Sequence, residues 1–327
     1  MNRCKLYGEI KCRAKQLLRK HSAIRSFYNC FKAWVGYRTY LRIKRLYGEY
    51  TTIFLIPWDG SGDAYYFALG CRHMIKGHDV VLTSSTSAER LLNLLGIERS
   101  YKITPYQKRA LIMFASLTGG IVKDLVLTYC TSGLFEDGLQ LLEGIHGLNY
   151  ADFYRLMGYS LEYDLPYVNC NQEDLKKYCD ELGIIRGKTV VLAPESVSCS
   201  SLGWDKWSTL IDLFRVNGLS VVVNASDPSL VADGVKTVLI PYHLLLGVLN
   251  EAGYFLGIRS GLCDLIAGSF CKKIVLYPKT THGQSTYLSF YSLESFPHRN
   301  SGLIQIEVET ENLCEELVNQ ILAECME

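Results

Sequence analysis

Three short stretches of this 327-residue chain bring together residue types that handle anions and protons. The first is GYFLGIRSGLCDLIAG, Gly253 to Gly268. Tyr254 to Ile258 has the composition of a buried strand, and an apolar helix starts near Leu262. Arg259, Ser260 and Gly261 fill the junction, with Asp264 one turn further on. Backbone N–H groups at a helix start suit an anion, and the Ser260 hydroxyl adds a donor. A guanidinium meets a phosphate or a carboxylate through two parallel bonds. Asp264 would take a sugar hydroxyl or hold Arg259 in place. The plainer alternative is a mutual Arg259–Asp264 salt bridge that only staples the junction.

The second stretch is DGSGDAYYFALG, Asp59 to Gly70. Gly60 and Gly62 permit a tight turn and close backbone approach, and Asp63 falls at the start of a helix. Asp63 either caps that helix or presents a carboxylate able to take a proton from an attacking hydroxyl. No third glycine follows in the place a dinucleotide fingerprint requires. The third stretch is APESVSCSSLGWDKWSTLIDLF, Ala193 to Phe214. A strand ends at Pro194, and Ser196, Ser198, Ser200 and Ser201 follow before Trp204 and Trp207 open a helix. Hydroxyls and free N–H groups after a strand suit phosphate oxygens; an ordinary serine-rich loop is the alternative. Asn224 ends a strand where it would touch a nucleotide or cap a turn, and Tyr242-His243 precedes a helix. His282 and Tyr287 sit in the polar, aromatic segment 279–297, read as a loop bordering the same pocket.

The elements that must position these residues alternate between short β-rich runs and longer amphipathic ones, the rhythm of parallel α/β architecture. The first half reads as strands at 51–57, 79–83, 99–103 and 125–129, with helices from Ala64 to Lys76, from Thr86 to Leu95 and over NYADFYRLMG. The apolar run Ala110 to Val122 is too short to span a membrane and reads as a core helix or strand. The second half reads as strands at 189–196, 220–226, 236–241, 254–258, 272–278 and 303–308. Helices fall at 173–182, 206–216, 243–250, 262–269 and 311–325. Two doubly wound domains in tandem leave a cleft at the carboxyl edges of their sheets, where ligands of this class bind. The divisions expected are a basic amphipathic helical extension at 1–48, a Rossmann-like domain at 49–168, a second Rossmann-like domain at 169–310, and a C-terminal helix at 311–327 with the N-terminal domain as a surface to pack back on.

Taken together, the three stretches resemble the heptosyltransferase-type glycosyltransferases (family 9), which have the GT-B fold of two Rossmann-like domains. Those enzymes open their first helix with Gly-Asp, here Gly62-Asp63, and the resemblance implies that Asp63 is the catalytic base. They carry a strand ending in Pro-Gly and a small residue, then Lys-x-Trp; here these are Pro194-Glu195-Ser196 and Leu202-Gly203-Trp204. A further strand is followed by Asp-Thr/Ser-Gly and, three positions past the glycine, a His; here that reads Arg259-Ser260-Gly261 and Asp264. Leu202 stands in the place of the phosphate-facing Lys, and Arg259 and Asp264 replace the acid and the His. The resemblance implies an inverting transfer of a sugar from a nucleotide-diphosphate sugar to a hydroxyl of a cell-surface glycan, lipopolysaccharide, capsule or similar. The donor contacts expected are Ser196, Ser200, Ser201, Asn224, Arg259, Ser260, Gly261 and Asp264, with Gly60, Gly62 and His282 in adjoining loops. The moved charge points away from ADP-heptose as the donor. A polysaccharide pyruvyltransferase using Arg259 for a donor carboxylate, and a nucleotide-sugar binder without catalysis, are the alternatives.

Composition agrees with a globular cytoplasmic protein: 48% of residues are apolar and 20% charged. The N-terminus lacks a signal-peptide core. Twelve cysteines carry no Cys-x-x-Cys or paired Cys/His spacing, against structural zinc, and Cys71, Cys130, Cys263 and Cys271 read as small core residues. No Asp-x-Asp triplet occurs, which fits stabilisation of a diphosphate by side chains and backbone with no metal and no cofactor. The net charge of +1 conceals an asymmetry: residues 1–48 hold thirteen Lys/Arg and one acid, and the rest 21 Lys/Arg and 32 Asp/Glu. A basic segment interleaved with Leu, Phe, Trp34 and Tyr suits an anionic membrane surface, placing the protein at the inner face of the plasma membrane. No nucleic-acid-binding motif accompanies the charge.

Overall fold

The computed structural model describes residues 22–56, 58–119, 121–127, 149–156, 170–197, 199–227, 229–230, 232–282, 285–295, 302–309 and 315–326. Residues 1–21 of the basic extension, the ends of the strand expected at 125–129 and of the helix at 149–158, and Cys130 lie outside them.

In chain order the first half forms α1 (Ser22–Tyr47), β1 (Ile53–Leu55), α2 (Ser61–Cys71), β2 (Val80–Thr83), α3 (Thr86–Leu94), β3 (Ser100–Lys102), α4 (Pro105–Thr118), β4 (Leu125–Leu127) and α5 (Tyr150–Leu156). The second half forms α6 (Gln172–Leu182), β5 (Thr189–Ala193), α7 (Trp204–Val216), β6 (Ser220–Asn224), β7 (Lys236–Val238), α8 (Tyr242–Ala252), β8 (Gly253–Ile258), α9 (Gly261–Ile266), β9 (Lys272–Pro278), β10 (Thr281–His282), β11 (Ser285–Thr286), α10 (Tyr287–Tyr291), β12 (Leu303–Val308) and α11 (Glu315–Met326). The described chain divides into two compact units. One draws on residues up to 57, on 75–86 and on 99–132; the other on 58–74, on 87–98 and on the chain from 133 onward.

The first unit holds a parallel sheet in the order β3-β2-β1-β4, with Ile53 opposite Val80 and Leu125. Its strands are short; β1 and β2 are buried throughout, as central parallel strands covered on both faces are, while the edge strand β3, Ser-Tyr-Lys, is only partly buried. The apolar run from Ala110 lies largely in α4, which starts at a Thr104–Gln107 capping box with Pro105 in its first turn and stops at Gly119 in the left-handed region, φ +58°. Helix α1 packs along α4. A Cβ on Gly36 would stand 2.1 Å from the Ala110 carbonyl oxygen, so only glycine allows the helices this close. Ala33, Thr39 and Ile43 continue the buried stripe, and Ile43 joins Ile53, Leu55, Val80, Leu82 and Leu111 in one core. The Lys44 ammonium donates to the Thr51 carbonyl at 2.7 Å and pairs with Asp124, which also accepts from the Tyr40 hydroxyl. The division drawn at residue 48 therefore separates α1 from a sheet whose core it shares.

The second unit is built on six parallel strands in the order β12-β9-β8-β5-β6-β7. Successive strand residues face opposite layers. Val190, Leu192, Val223, Leu256 and Leu276 meet Trp207, Leu210, Ile211 and Phe214 of α7 on one side. Val191, Val222, Phe255 and Val275 meet α6, α8 and α9 on the other. Both faces being covered explains the uninterrupted apolar runs of β5, β6 and β9. Helix α11 places Val318, Ile321 and Cys325 in the α7-side core of this sheet. There they share the core with Ile274 and Leu276 of β9 and Ile306 and Val308 of β12. The described cysteines are free thiols, and Cys71, Cys263 and Cys271 are buried. No described helix is long and apolar enough to cross a membrane.

Candidate active site

In the six-stranded sheet β5 lies between β6 on one side and β8 on the other, so the chain reverses its direction of winding between β5 and β8. Loops leaving the carboxyl ends of those two strands part there and leave a crevice. The serine-rich loop follows β5, and Arg259-Ser260-Gly261 follows β8. Helix α2 belongs to the same unit and brings its own start, Gly60 to Asp63, to the same place. The cleft they enclose has a volume of about 950 Å³.

The starts of α2 and α9 are in contact through two glycines. A Cβ on Gly261 would stand 2.6 Å from the Gly62 amide nitrogen, and one on Gly62 would stand 2.6 Å from Asp264 Oδ2 and 3.2 Å from Gly261 Cα. Gly62 thus allows one helix to approach another closely. Gly60 is the N-cap of α2 and offers no side chain. A Cβ there would meet Asp63 Oδ2 at 2.5 Å, so the glycine leaves room for the carboxylate to fold back over the start of its helix. The Ser61 hydroxyl lies 3.0 Å from that of Tyr242 on α8 and fixes the turn from another side.

Asp63 lies at the edge of the cleft. Its Oδ1 accepts hydrogen bonds from the Tyr150 hydroxyl at 2.8 Å and the Tyr154 hydroxyl at 2.7 Å. The two tyrosines are one turn apart on α5, so both rings reach the same carboxylate. Burial raises the Asp63 carboxyl above the usual carboxylate range; the two phenols and the Gly60 amide pull the other way, and the charge of Asp264 adds to the rise. The tyrosines stack in an aromatic wall: Tyr66 lies 4.9 Å from Tyr154 and Tyr150 5.1 Å from Tyr291, between ring centres.

Asp264 sits in the corresponding first turn of α9 and has a different partner. Arg259 meets it with two prongs, at 2.8 Å to Oδ1 and 3.1 Å to Oδ2, and Tyr66 donates to Oδ1 at 2.8 Å. The guanidinium also donates to the Ser260 carbonyl at 2.6 Å and the Tyr291 carbonyl at 3.0 Å. Both side chains are nearly sealed, at 4% and 3% exposure. Burial works against the charge of the guanidinium, yet Asp264 holds it well above its usual range. Arg259 lines the cleft, but its directed bonds go to protein atoms, so the stapling alternative describes its geometry.

The remaining expected residues divide sharply. Ser196, Ser201, Ser260 and Gly261 line the cleft with Gly60, Gly62 and Asp63. The Ser196 hydroxyl donates to the Arg259 carbonyl at 3.0 Å, and Ser201 donates to the Pro194 carbonyl while accepting from the Trp207 indole at 3.3 Å. These hydroxyls knit the loop together, with their protons spent on backbone carbonyls. Ser200 is exposed and outside the lining. Asn224 is buried, and its side-chain oxygen accepts from the Ile240 amide at 2.9 Å, so it ties the end of β6 to the following loop. His282 lies on β10, and its side chain is outside the described residues. Leu202 is 5% exposed in the α7-side core, so a hydrocarbon fills the place where the resembling family has a cation.

Sequence reasoning missed Tyr66, Tyr150, Tyr154 and Tyr291, and it also missed Glu195. The Glu195 carboxylate accepts from the Ser226 amide at 2.7 Å and the Asp227 amide at 2.9 Å, joining the ends of β5 and β6. The i, i+4 tyrosines of NYADFY were the available signal, but nothing local ties them to Asp63 nearly ninety residues earlier. Asp59, Asp63, Glu195, Asp227 and Asp264 all line the cleft, and among the described lining residues Arg259 is the cation facing them. No described group of His, Cys, Asp and Glu has the arrangement of a metal site.

No protein-family model matches the chain, and no curated protein matches it in sequence. Solved structures do match in fold. ADP-heptose lipopolysaccharide heptosyltransferase II of E. coli is 12% identical over 84% of this chain and 99% of its own, with a TM-score of 0.53. A family 9 glycosyltransferase of Veillonella parvula is 12% identical over 79% and 86%, with a TM-score of 0.47. The fold is that of the first of these enzymes, an α/β architecture with two parallel sheets.

Proposed function

We propose that this chain is a glycosyltransferase that moves a sugar from a nucleotide-diphosphate sugar to a hydroxyl of a cell-surface glycan, with Asp63 as the base. The observation that carries the reading is Asp63 itself. It is a cleft carboxylate with raised proton affinity, held by two phenols at one oxygen and with no cation paired to it among the described residues. A general base works best with a pKa brought up toward the working pH. The named activity of the E. coli enzyme with this fold supports the same reaction class.

The proposed step uses these positions as follows. The acceptor hydroxyl gives its proton to Asp63 as its oxygen bonds to the anomeric carbon. The bond from that carbon to the diphosphate breaks on the opposite side, so the configuration inverts. Tyr150 and Tyr154 orient the carboxylate throughout. The leaving diphosphate faces the loop after β5 and the Ser260-Gly261 turn. It meets backbone N–H groups there and no unpaired side-chain cation, because Arg259 is engaged and residue 202 is a leucine. The reading assigns no metal to this step, and free buried thiols suit the reducing cytoplasm. The decisive experiment incubates the protein and Asp63→Asn with a panel of nucleotide-diphosphate sugars and deacylated glycan acceptors. Transfer by the native chain, with loss in the variant and retained donor binding, is the expected result. Transfer undiminished in Asp63→Asn removes that residue from the mechanism.

A second reading, a sugar binder without catalysis, is favoured by one observation: the acidic lining of the cleft repels a diphosphate. Calorimetric titration separates the two, since this reading expects neutral oligosaccharides to bind and nucleoside diphosphates not to. The pyruvyltransferase alternative loses its support, because the guanidinium it would use for a donor carboxylate is paired with Asp264.

A further inference from the structure

The largest concentration of exposed apolar side chains in the described protein lies on α1, away from the cleft residues in sequence and in a different compact unit. Phe27 is 77% exposed, Phe31 49% and Trp34 53%, with Ile24 and Tyr28 beside them. At 100° per residue, positions 24, 27, 31 and 34 share one face, opposite the stripe of Ala33, Gly36, Thr39 and Ile43 that packs inward. Arg38, Arg42 and Arg45 extend that outward face by the same spacing. The helix contains Arg25, Lys32, Arg38, Arg42, Lys44 and Arg45 and no Asp or Glu. Beside the arginines is an open hollow of about 900 Å³ that Trp34, Arg38, Arg42 and Arg45 help to line. The Arg38 guanidinium lies over the Trp34 ring at 5.6 Å.

An exposed aromatic cluster continued by cations suits neither water nor a second copy. Water gains nothing from the rings, and a second copy would bring the same cations face to face. A bilayer interface satisfies both parts, since aromatic rings settle at headgroup depth and arginines meet lipid phosphates. We propose that α1 docks the protein in the plane of an anionic lipid bilayer, with Phe27, Phe31 and Trp34 entering the interface and Arg38, Arg42 and Arg45 contacting headgroups. This inference does not depend on the glycosyltransferase reading, and its test needs no turnover.

Flotation of the full chain with phosphatidylcholine vesicles, with and without added phosphatidylglycerol, reads it directly. Binding is expected only where phosphatidylglycerol is present, and it should weaken as salt rises. Each arginine beside an anionic leaflet contributes roughly fivefold in partitioning, so Arg38→Gln/Arg42→Gln/Arg45→Gln should lose on the order of a hundredfold. Phe27→Ser/Phe31→Ser/Trp34→Ser should lose at least as much, with the melting temperature unchanged because these side chains face outward. Phe27→Ser alone, the most exposed position, should lower binding by about tenfold if that triple variant fails to fold. Equal binding to both vesicle types overturns the proposal, as does undiminished binding by these variants. A lipid-free dimer that the Phe27/Phe31/Trp34 variant dissolves would overturn it as well, by showing that a second copy covers the face.

Discussion

Asp63 and Asp264 occupy matching positions and have opposite lives. Each stands in the first turn of a helix that follows a sheet strand, each has a glycine close before it, and each accepts from a tyrosine of the same aromatic wall. Asp264 is closed in by a two-pronged guanidinium and Asp63 by neutral phenols. The guanidinium keeps its charge in any protein; burial raises the Asp264 carboxyl above its usual range, and Arg259 pulls it back toward the ionised form, so the pair's hydrogen bonds are spent on each other. Phenols stabilise an anion without cancelling its charge, which leaves Asp63 free to take up and release a proton. On the proposed reading, neighbouring carboxylates in one cleft divide into anchor and base by what faces them, and not by their place on the helix.

The contrast can be broken from either side. Asp63→Asn should lower turnover by about 10²–10⁴-fold, the usual worth of a general base, while its melting curve changes little; steady-state kinetics beside calorimetry reads both. Asp264→Asn should do the reverse, costing about 3–5 kcal/mol by leaving a buried guanidinium uncompensated. Urea unfolding measures it, and Arg259→Met/Asp264→Leu should recover most of the loss. Gly261→Ala forces a methyl onto the Gly62 amide and should cost about 1–3 kcal/mol, since backbone has to move.

The smallest effect sharpens the comparison most. Tyr150→Phe and Tyr154→Phe each remove a bond that lowers the raised Asp63 pKa, so the acid limb of the pH–rate profile should move to higher pH. Activity well above that limb should change much less. The sign for stability is the opposite of an ordinary salt-bridged carboxylate. With its folded pKa above its unfolded one, Asp63 contributes stability that is present at low pH and is lost as pH rises through the folded value. Asp63→Asn should flatten that part of the stability profile.

The strands of the second unit were legible because a parallel strand covered on both faces must be apolar throughout, and TVVLA, SVVVN and KKIVLYP leave little else to be. The site was legible in outline for a related reason: polar residues directly after such strands have few structural duties. Its inner logic was not. The five-residue spacing of Arg259 and Asp264 is compatible with a staple and with an anion site, and only the burial of both decides between them. Tyr150 and Tyr154 bond a carboxylate far away in the chain, and the share of α1 in the first core was hidden because the buried contacts of Gly36 and Ile43 are made with α4 and the first sheet.

The glycine contact between α2 and α9 also has a mechanical consequence. With no side chain on either residue, the two helix starts meet backbone to backbone, and a methyl group on either would press them apart. The nearness of the two carboxylates is therefore set by the absence of two methyl groups.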